Sequence, residues 1–204
     1  GNIWVGSNKG VSKYNGTTWE TYNSSNGLVS DTVYAIKTDD SNGYIWFATT
    51  MGLSRFDGIT WESYTKESGL IGNYISGIAI DQDNNYWFTC WGDGISKYTG
   101  AEWFGYSSKS VPPSDLISTG ALNENGDKWF SYTYSSGNLV GGVSKFDGKI
   151  WTSYSEANGL PRNDVSSIVQ DKAGNMWFGL LNGGYICKYD GNTWTSFKHP
   201  NNSI

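Results

Sequence analysis

The chain has 204 residues, enough for one domain, and carries a net charge of −5. This acidic balance argues against a nucleic-acid-binding protein, because phosphates are bound by basic faces. Aromatic residues make up 16% of the chain, as many as the charged residues, and no run of 18 apolar residues predicts insertion into a membrane.

A tryptophan followed by phenylalanine or valine recurs along the whole chain, at steps of 42, 41, 42 and 48 residues. These tryptophans are Trp4, Trp46, Trp87, Trp129 and Trp177. A second series follows each of them, after an aromatic-x-Gly turn: Trp19, Trp61, Trp103, Trp151 and Trp194. Trp91 is the one tryptophan outside these series. A period of about 40–45 residues is typical of propeller blades.

Each repeat predicts four short strands, which the second repeat shows in chain order. Residues 33–37, 44–49, 53–56 and 60–64 are β-branched, aromatic or apolar runs separated by turn residues. Asp57-Gly58 is a strong two-residue hairpin signal. No window has apolar residues at helical spacing, so we expect no helices.

The second strands are apolar at consecutive positions, as in Ile45-Trp46-Phe47-Ala48, which predicts that both faces of each sheet are covered. We therefore predict an all-β fold, a β-propeller of four-stranded antiparallel blades, as a single domain or part of one over residues 1–204. The repeats are approximately 1–29, 30–71, 72–113, 114–161 and 162–204. The pattern gives 19 strands, 4 inner and 15 others, against 20 for a closed five-bladed ring. An excerpt of a larger ring is favoured, and a five-bladed ring closed by residues 202–204 is the alternative.

The stretches GNIWVGSNKGVSKYNG, GYIWFATTMGLSRFDG and GNMWFGLLNGGYICKYDG, with the linkers NGLVSDTVYAI and NGLPRNDVSSI, resemble the two-component regulator propeller repeat. The third repeat departs from the pattern, with YSSKSVPPSDLI as its linker and Thr99 in its turn. The resemblance implies the periplasmic or extracellular sensor part of a hybrid histidine kinase, often for saccharides. Its partners would be neighbouring blades or signalling domains of the same protein. Some relatives are secreted or surface proteins without a kinase.

The sequence predicts no catalytic site, cofactor or metal. His199 is the single histidine, and its isolation excludes a multi-histidine metal site and weakens a propeller-lyase alternative. The recurring turn residues Asp57, Asp147 and Asp190 are interpreted as structural. Cys90 and Cys187 lie two repeats apart and are expected to be unpaired, packed thiols.

One polar position recurs just before each inner strand and is predicted to form a ring at the mouth of a central channel. Its members are Asp31, Asn73, Asp115 and Asn163. One interpretation is an Asx turn, in which the side chain bonds the backbone two residues on. The other is a ring of acceptors for a polyol or a cation.

Irregular loops between second and third strands, and between repeats, are predicted to share one face, and binding usually resides in such loops. Aromatic rings beside polar groups suit sugars. The ligand-binding candidates are Trp91, Asp93, Tyr132, Tyr134, Arg162, Asn182 and Tyr185. The alternative interpretation is that the aromatic rings among them only cover the ends of the blades. The sequence thus favours a non-catalytic, saccharide-binding sensor propeller, with a secreted or surface propeller that binds protein as the alternative and a lyase as a remote one.

Overall fold

The repeating tryptophans lie on β-strands in a computed structural model, which describes residues 1–109, 114–122, 126–132, 141–181 and 184–198. The chain divides into two compact units, Gly1–Gly105 and Tyr106–Ile204, and the boundary falls within strand β11. In each sheet consecutive strands pair antiparallel, which is the up-and-down order of a propeller blade.

Unit 1 contains three sheets. The first consists of β1 (Ile3–Ser7), β2 (Gly10–Tyr14) and β3 (Trp19–Tyr22). The second consists of β4 (Val33–Thr38), β5 (Ile45–Thr49), β6 (Gly52–Phe56) and β7 (Trp61–Tyr64). The third consists of β8 (Ile75–Ile80), β9 (Tyr86–Cys90), β10 (Gly94–Tyr98) and β11 (Trp103–Tyr106).

Unit 2 contains two sheets. The fourth sheet consists of β12 (Ile117–Leu122), β13 (Lys128–Tyr132), β14 (Gly142–Phe146) and β15 (Trp151–Tyr154). The fifth consists of β16 (Val165–Gln170), β17 (Met176–Leu180), β18 (Tyr185–Tyr189) and β19 (Trp194–Lys198). The strands predicted for the second repeat are confirmed to within one residue at each end.

The expectation of no helices was wrong for two linkers, which form single 3₁₀ turns at Lys66–Ser68 and Glu156–Asn158. In the first, the Ser68 hydroxyl accepts a hydrogen bond from the backbone N–H of Thr65. A local bond of this kind forms without apolar residues at helical spacing, so the sequence pattern did not predict the turn. Neither turn could cross a bilayer, and the described residues contain no helix long and apolar enough to do so.

Aromatic rings fill the space between adjacent sheets within each unit. The fully buried Trp46 of the second sheet contacts Tyr86 and Phe88 of the third, with ring centroids 4.8 and 5.3 Å apart. In unit 2, Trp129 meets Phe178 at 5.5 Å. Such pairs add to the free energy gained from burying the rings. Trp46 and Trp129 thus each join their own sheet to the next sheet of the same unit.

The Gly-Leu linker fits against an outer tryptophan of the next sheet. Gly69 adopts φ +114°, and a Cβ on it would lie 2.9 Å from the ring of Trp103. The following Leu70 is buried between the second and third sheets. Glycine is needed here both for the left-handed backbone and for the close approach.

Both cysteines are buried and free, as expected from their spacing. Burial raises the pKa of Cys90 to about 11 and that of Cys187 to about 12. Both thiols are therefore protonated near neutral pH and pack as small apolar groups.

Candidate functional site

The second sheet shows at which edge the irregular loops emerge. In the second sheet, Thr49 at the end of β5 pairs with Val33 at the start of β4, and with Gly52 at the start of β6. Tyr64, the last residue of β7, pairs with Leu53 at the same edge. The loop after β5, the linker entering β4 and the linker leaving β7 therefore lie together, as the predicted face requires.

A β-bulge lies at the second residue of each inner strand, just inside this edge. In the second sheet the pairing skips Tyr34, and in the third and fifth sheets it skips Ser76 and Ser166. The bulged serines bond back to the neighbouring strand, Ser76 to Thr89 and Ser166 to the carbonyl of Gly179. Bulges re-aim side chains, and here the bulge turns a tyrosine outward.

Tyr34 meets Tyr74, the residue before β8, at the inner strands of the second and third sheets. Their ring centroids are 5.3 Å apart with an interplanar angle of 34°, and the Tyr74 hydroxyl donates a hydrogen bond to the Tyr34 hydroxyl. This hydrogen bond raises the pKa of Tyr74. Tyr34 remains 52% exposed. The pair therefore presents an aromatic surface and two hydroxyls to solvent.

Trp91 extends the surface at the loop after β9. Its side chain is 42% exposed, and its backbone N–H donates to the carbonyl of Tyr74 at 2.8 Å. Two residues on, Asp93 forms a 3.0 Å ion pair with Lys66 in the preceding linker. Tyr34, Lys66, Tyr74, Trp91 and Asp93 are called the loop-edge surface below.

The loop-edge surface combines apolar ring faces with charged and hydroxyl groups. Ring faces pack against the C–H groups of a sugar, and the polar groups around them can bind its hydroxyls. Among the described residues, no group of three or more His, Cys, Asp and Glu side chains could hold a metal ion.

Of the seven predicted ligand residues, Trp91 and Asp93 come together on this surface. In unit 2, Arg162 is tied to Asp164 through two hydrogen bonds of 3.0 and 3.1 Å. Tyr185 begins β18, half-buried, with the Lys198 ammonium 5.7 Å from its ring centre. Two further candidates, Tyr134 and Asn182, and the single histidine, His199, lie outside the described residues.

The prediction that Tyr132 faces a ligand was wrong. It is the last residue of β13, not part of the loop, and its side chain is 1% exposed. Burial raises the pKa of its hydroxyl. Tyr132 stands three residues after Trp129, as Thr49 stands three residues after Trp46, so the repeat itself places it at the end of the second strand.

The recurring Asp and Asn residues before the inner strands form hydrogen bonds back to the start of the linkers. Each side chain accepts the backbone N–H of the residue seven positions earlier, at 2.6 to 2.8 Å. The pairs are Asp31 with Ser24, Asn73 with Lys66, Asp115 with Ser108, and Asn163 with Glu156. The prediction of an Asx turn over two residues was therefore wrong. The bonds from Ser24 lower the pKa of Asp31, because they stabilise its carboxylate.

Sequence reasoning missed Tyr34 and Tyr74. A signal exists, because the residue equivalent to Tyr34 is serine in three other repeats: Ser76, Ser118 and Ser166. The contact itself joins positions 40 residues apart and depends on a bulge, which no local pattern shows.

Solved structures similar to the chain are β-propellers. The extracellular domain of a protein assigned to a hybrid two-component system of B. thetaiotaomicron is 23% identical, with a TM-score of 0.77 over 100% of this chain and 28% of its own. Virginiamycin B lyase of Staphylococcus aureus is 17% identical, with a TM-score of 0.75 over 98% of this chain and 67% of its own. PorZ, a surface component of the type-IX secretion system of Porphyromonas gingivalis, is 15% identical, with a TM-score of 0.64 over 93% of this chain and 30% of its own.

These identities establish the fold alone, and the chain spans about a quarter of the two-component ectodomain. No curated protein matches the sequence at a significant level. Residues 159–182, which include the linker before the fifth sheet and the strands β16 and β17, match the model of the two-component regulator propeller family. One repeat of the chain, at residues 159–182, therefore matches the two-component regulator propeller family, and the chain has a β-propeller fold.

Proposed function

We propose that this chain is a non-catalytic recognition propeller, the extracytoplasmic sensing part of a two-component signalling protein. It binds a saccharide or similar small polar ligand at the loop-edge surface. The family match and the likeness to a two-component ectodomain support the sensing role. Binding would alter how the propeller docks on its neighbouring domain, without bond chemistry.

The observation that carries this proposal is the combination of three aromatic side chains with an ion pair. Tyr34 and Trp91 are 52% and 42% exposed, and the backbone of Trp91 is bonded to Tyr74. Large exposed rings on a fixed scaffold are typical of binding surfaces, since rigid rings lose little conformational entropy when a ligand binds. The Lys66–Asp93 pair supplies donors and acceptors for hydroxyl groups.

A secreted or cell-surface propeller that binds protein is the second candidate, supported by the likeness to PorZ. The coding sequence beyond Ile204 separates the two, because the sensor requires a membrane helix and a kinase domain in the same protein. A lyase is the third. Replacing a histidine inactivates virginiamycin B lyase, and His199 is the single histidine of this chain. Turnover of a streptogramin that disappears in His199→Ala would favour the lyase.

A glycan array followed by calorimetry tests the proposed ligand class. We expect Trp91→Ala to weaken binding of any captured glycan at least tenfold, which corresponds to about 1.4 kcal/mol. Phe104→Ala is the matched control, because Phe104 is also 42% exposed but lies on the outer strand β11. Equal affinities of Trp91→Ala and the parent chain would discard this site, and an array without any captured glycan would discard the saccharide proposal.

A further inference from the structure

Two tyrosines of the loop-edge surface meet side by side in unit 1. Tyr34 belongs to β4 of the second sheet, and Tyr74 directly precedes β8 of the third. The ring centroids lie 5.3 Å apart with planes inclined by 34°, and the Tyr74 hydroxyl donates a hydrogen bond to the Tyr34 hydroxyl. The contact therefore joins the inner strands of two sheets that each have four strands.

The hydroxyl contact brings together the parts of the two rings at which tyrosyl radicals couple. Such a radical carries its unpaired electron on the phenolic oxygen and on the two ortho carbons beside it. Because the hydroxyls of Tyr34 and Tyr74 touch, the rings converge at the ends that bear these carbons. Tyr34 is 52% exposed, and exposed side chains change rotamer within nanoseconds, so the small further approach to bonding distance is available. Two reacting groups held together in this way react as if in one molecule, at a high effective concentration.

Another tyrosine pair, in unit 2, lacks this access to solvent. The ring centroids of Tyr154 and Tyr189 are 5.4 Å apart, and their hydroxyls are 3.4 Å apart. Tyr154 also stacks on the buried Trp129, and burial raises the pKa of its hydroxyl. Packing between the fourth and fifth sheets therefore holds these rings in place. The pair of Tyr34 and Tyr74 combines closeness with exposure to an oxidant.

We propose that Tyr34 and Tyr74 are a site of oxidative cross-linking, at which a dityrosine bond joins the second and third sheets. The oxidant is hydrogen peroxide, used by a haem peroxidase. Each phenol gives up one electron and its hydroxyl proton, and the two radicals form a carbon–carbon bond between ortho carbons. The two ortho hydrogens then move as protons to the oxygens and restore both phenols. The peroxide takes up the two electrons and two protons and leaves as two water molecules.

The cross-link would act on the stability of unit 1, independently of any ligand at the same surface. It joins positions 40 residues apart in the chain. A covalent bond over such a span restricts the unfolded chain, as a disulfide does. We therefore expect the oxidised chain to unfold at a higher urea concentration than the untreated chain.

Treatment with a haem peroxidase and hydrogen peroxide, followed by fluorescence and mass spectrometry of tryptic peptides, tests the site. We expect the parent chain to gain dityrosine fluorescence while it still runs as a monomer in denaturing gel electrophoresis. The tryptic peptides 14–37 and 67–97 should appear as one species that weighs two hydrogen atoms less than their sum. Fragmentation of this species should place the bond at Tyr34 and Tyr74.

Tyr34→Phe and Tyr74→Phe should each lose the cross-link, because phenylalanine keeps the ring but forms no phenoxyl radical. Tyr22→Phe is the matched control, since Tyr22 lies in the same tryptic peptide as Tyr34 but its hydroxyl donates to Glu20 at 2.9 Å. This variant should form the cross-link as the parent chain does, and the circular dichroism spectra of all three variants should match that of the parent chain.

Three outcomes would overturn the proposal. The first is an oxidised parent chain without dityrosine. The second is a cross-link between peptides 14–37 and 67–97 that persists in Tyr34→Phe or in Tyr74→Phe. The third is dityrosine that forms only between separate chains, seen as dimers in the denaturing gel.

Discussion

The backbone N–H of Val29 donates a 2.8 Å hydrogen bond to the hydroxyl of Ser54, which is 0% exposed. The same bond recurs in the next repeat, from Ile71 to Ser96 at 3.0 Å. It ties the linker that enters a blade to the third strand of that blade. Because the serine is buried, the linker N–H depends on it for a partner away from water.

Removing this hydroxyl should destabilise unit 1. We expect Ser54→Ala to lower the free energy of unfolding by roughly 1–3 kcal/mol, the cost of leaving a buried donor unsatisfied. Ser12→Ala is the control, since Ser12 occupies the equivalent position in the first sheet and contacts the exposed Thr21 at 3.4 Å. Urea unfolding measures both. Equal losses in the two variants would show that the linker bond contributes nothing.

The fifth sheet lacks both partners of this bond. Pro161 stands at the linker position and has no N–H, and Cys187 replaces the serine. We expect Cys187→Ser to destabilise by about 1 kcal/mol, because the new hydroxyl is buried without the linker donor. Pro161→Val should recover part of this loss in the double variant, and a double-mutant cycle measures the coupling. If the effects of Cys187→Ser and Pro161→Val on the free energy of unfolding simply add, the two positions are not coupled, and this explanation of the proline and the cysteine is wrong.

Gly69 is constrained by its neighbour as well as by its backbone. Gly69→Ala and Gly58→Ala both place a side chain at positive φ, +114° and +101°, which costs roughly 1–2 kcal/mol each. A Cβ on Gly58 meets nothing within 4 Å, whereas one on Gly69 would press on Trp103. We therefore expect Gly69→Ala to lose about 1–3 kcal/mol more in urea unfolding. Equal losses would mean that the linker moves freely away from Trp103.

Acid should weaken the turn before β17. The indole N–H of Trp177 donates to Asp171 at 2.7 Å, and this bond, with those from Asn175, lowers the pKa of Asp171 to about 2. A lowered pKa means that the folded state favours the carboxylate. The stabilisation is complete above the unfolded pKa near 4 and disappears as the pH falls through about 2.

Asp171→Asn should therefore show a shallower fall of the urea midpoint than the parent chain between pH 5 and pH 2. Asp40→Asn, at an exposed turn position, should fall as the parent chain does. Identical slopes in the parent chain and Asp171→Asn would show that the carboxylate does not contribute through its charge.

The fold could be predicted from the sequence because its determinants repeat. The spacing of Trp46, Trp87 and Trp129 gives the blades, and Asp57-Gly58 gives a hairpin that the structure confirms between β6 and β7. The linkers were harder, since the 3₁₀ turn at Lys66–Ser68 depends on one hydroxyl, and Asn73 reaches back seven residues to cap it. Such hydrogen bonds are not accompanied by a periodic sequence pattern that would predict them.

The candidate site was predicted in part. Trp91 stands out because it breaks the tryptophan period, and the structure places it on the surface. Tyr132 looks equally suitable in sequence, yet it is buried at a strand end. Tyr34 stands at a bulge and is hydrogen-bonded to Tyr74, 40 residues away in the sequence. Single departures from a repeat are visible in sequence, whereas their side-chain directions are set by packing.

Indole N–H spectra of the ¹⁵N-labelled chain, titrated with a panel of mono- and oligosaccharides, test the recognition proposal most directly. The resonance that Trp91→Phe removes identifies Trp91, and the buried Trp87 serves as an internal reference. We expect a bound saccharide to shift the Trp91 resonance progressively and to leave that of Trp87 in place. A saccharide that binds without moving the Trp91 resonance, or a panel in which none binds, would contradict the proposal.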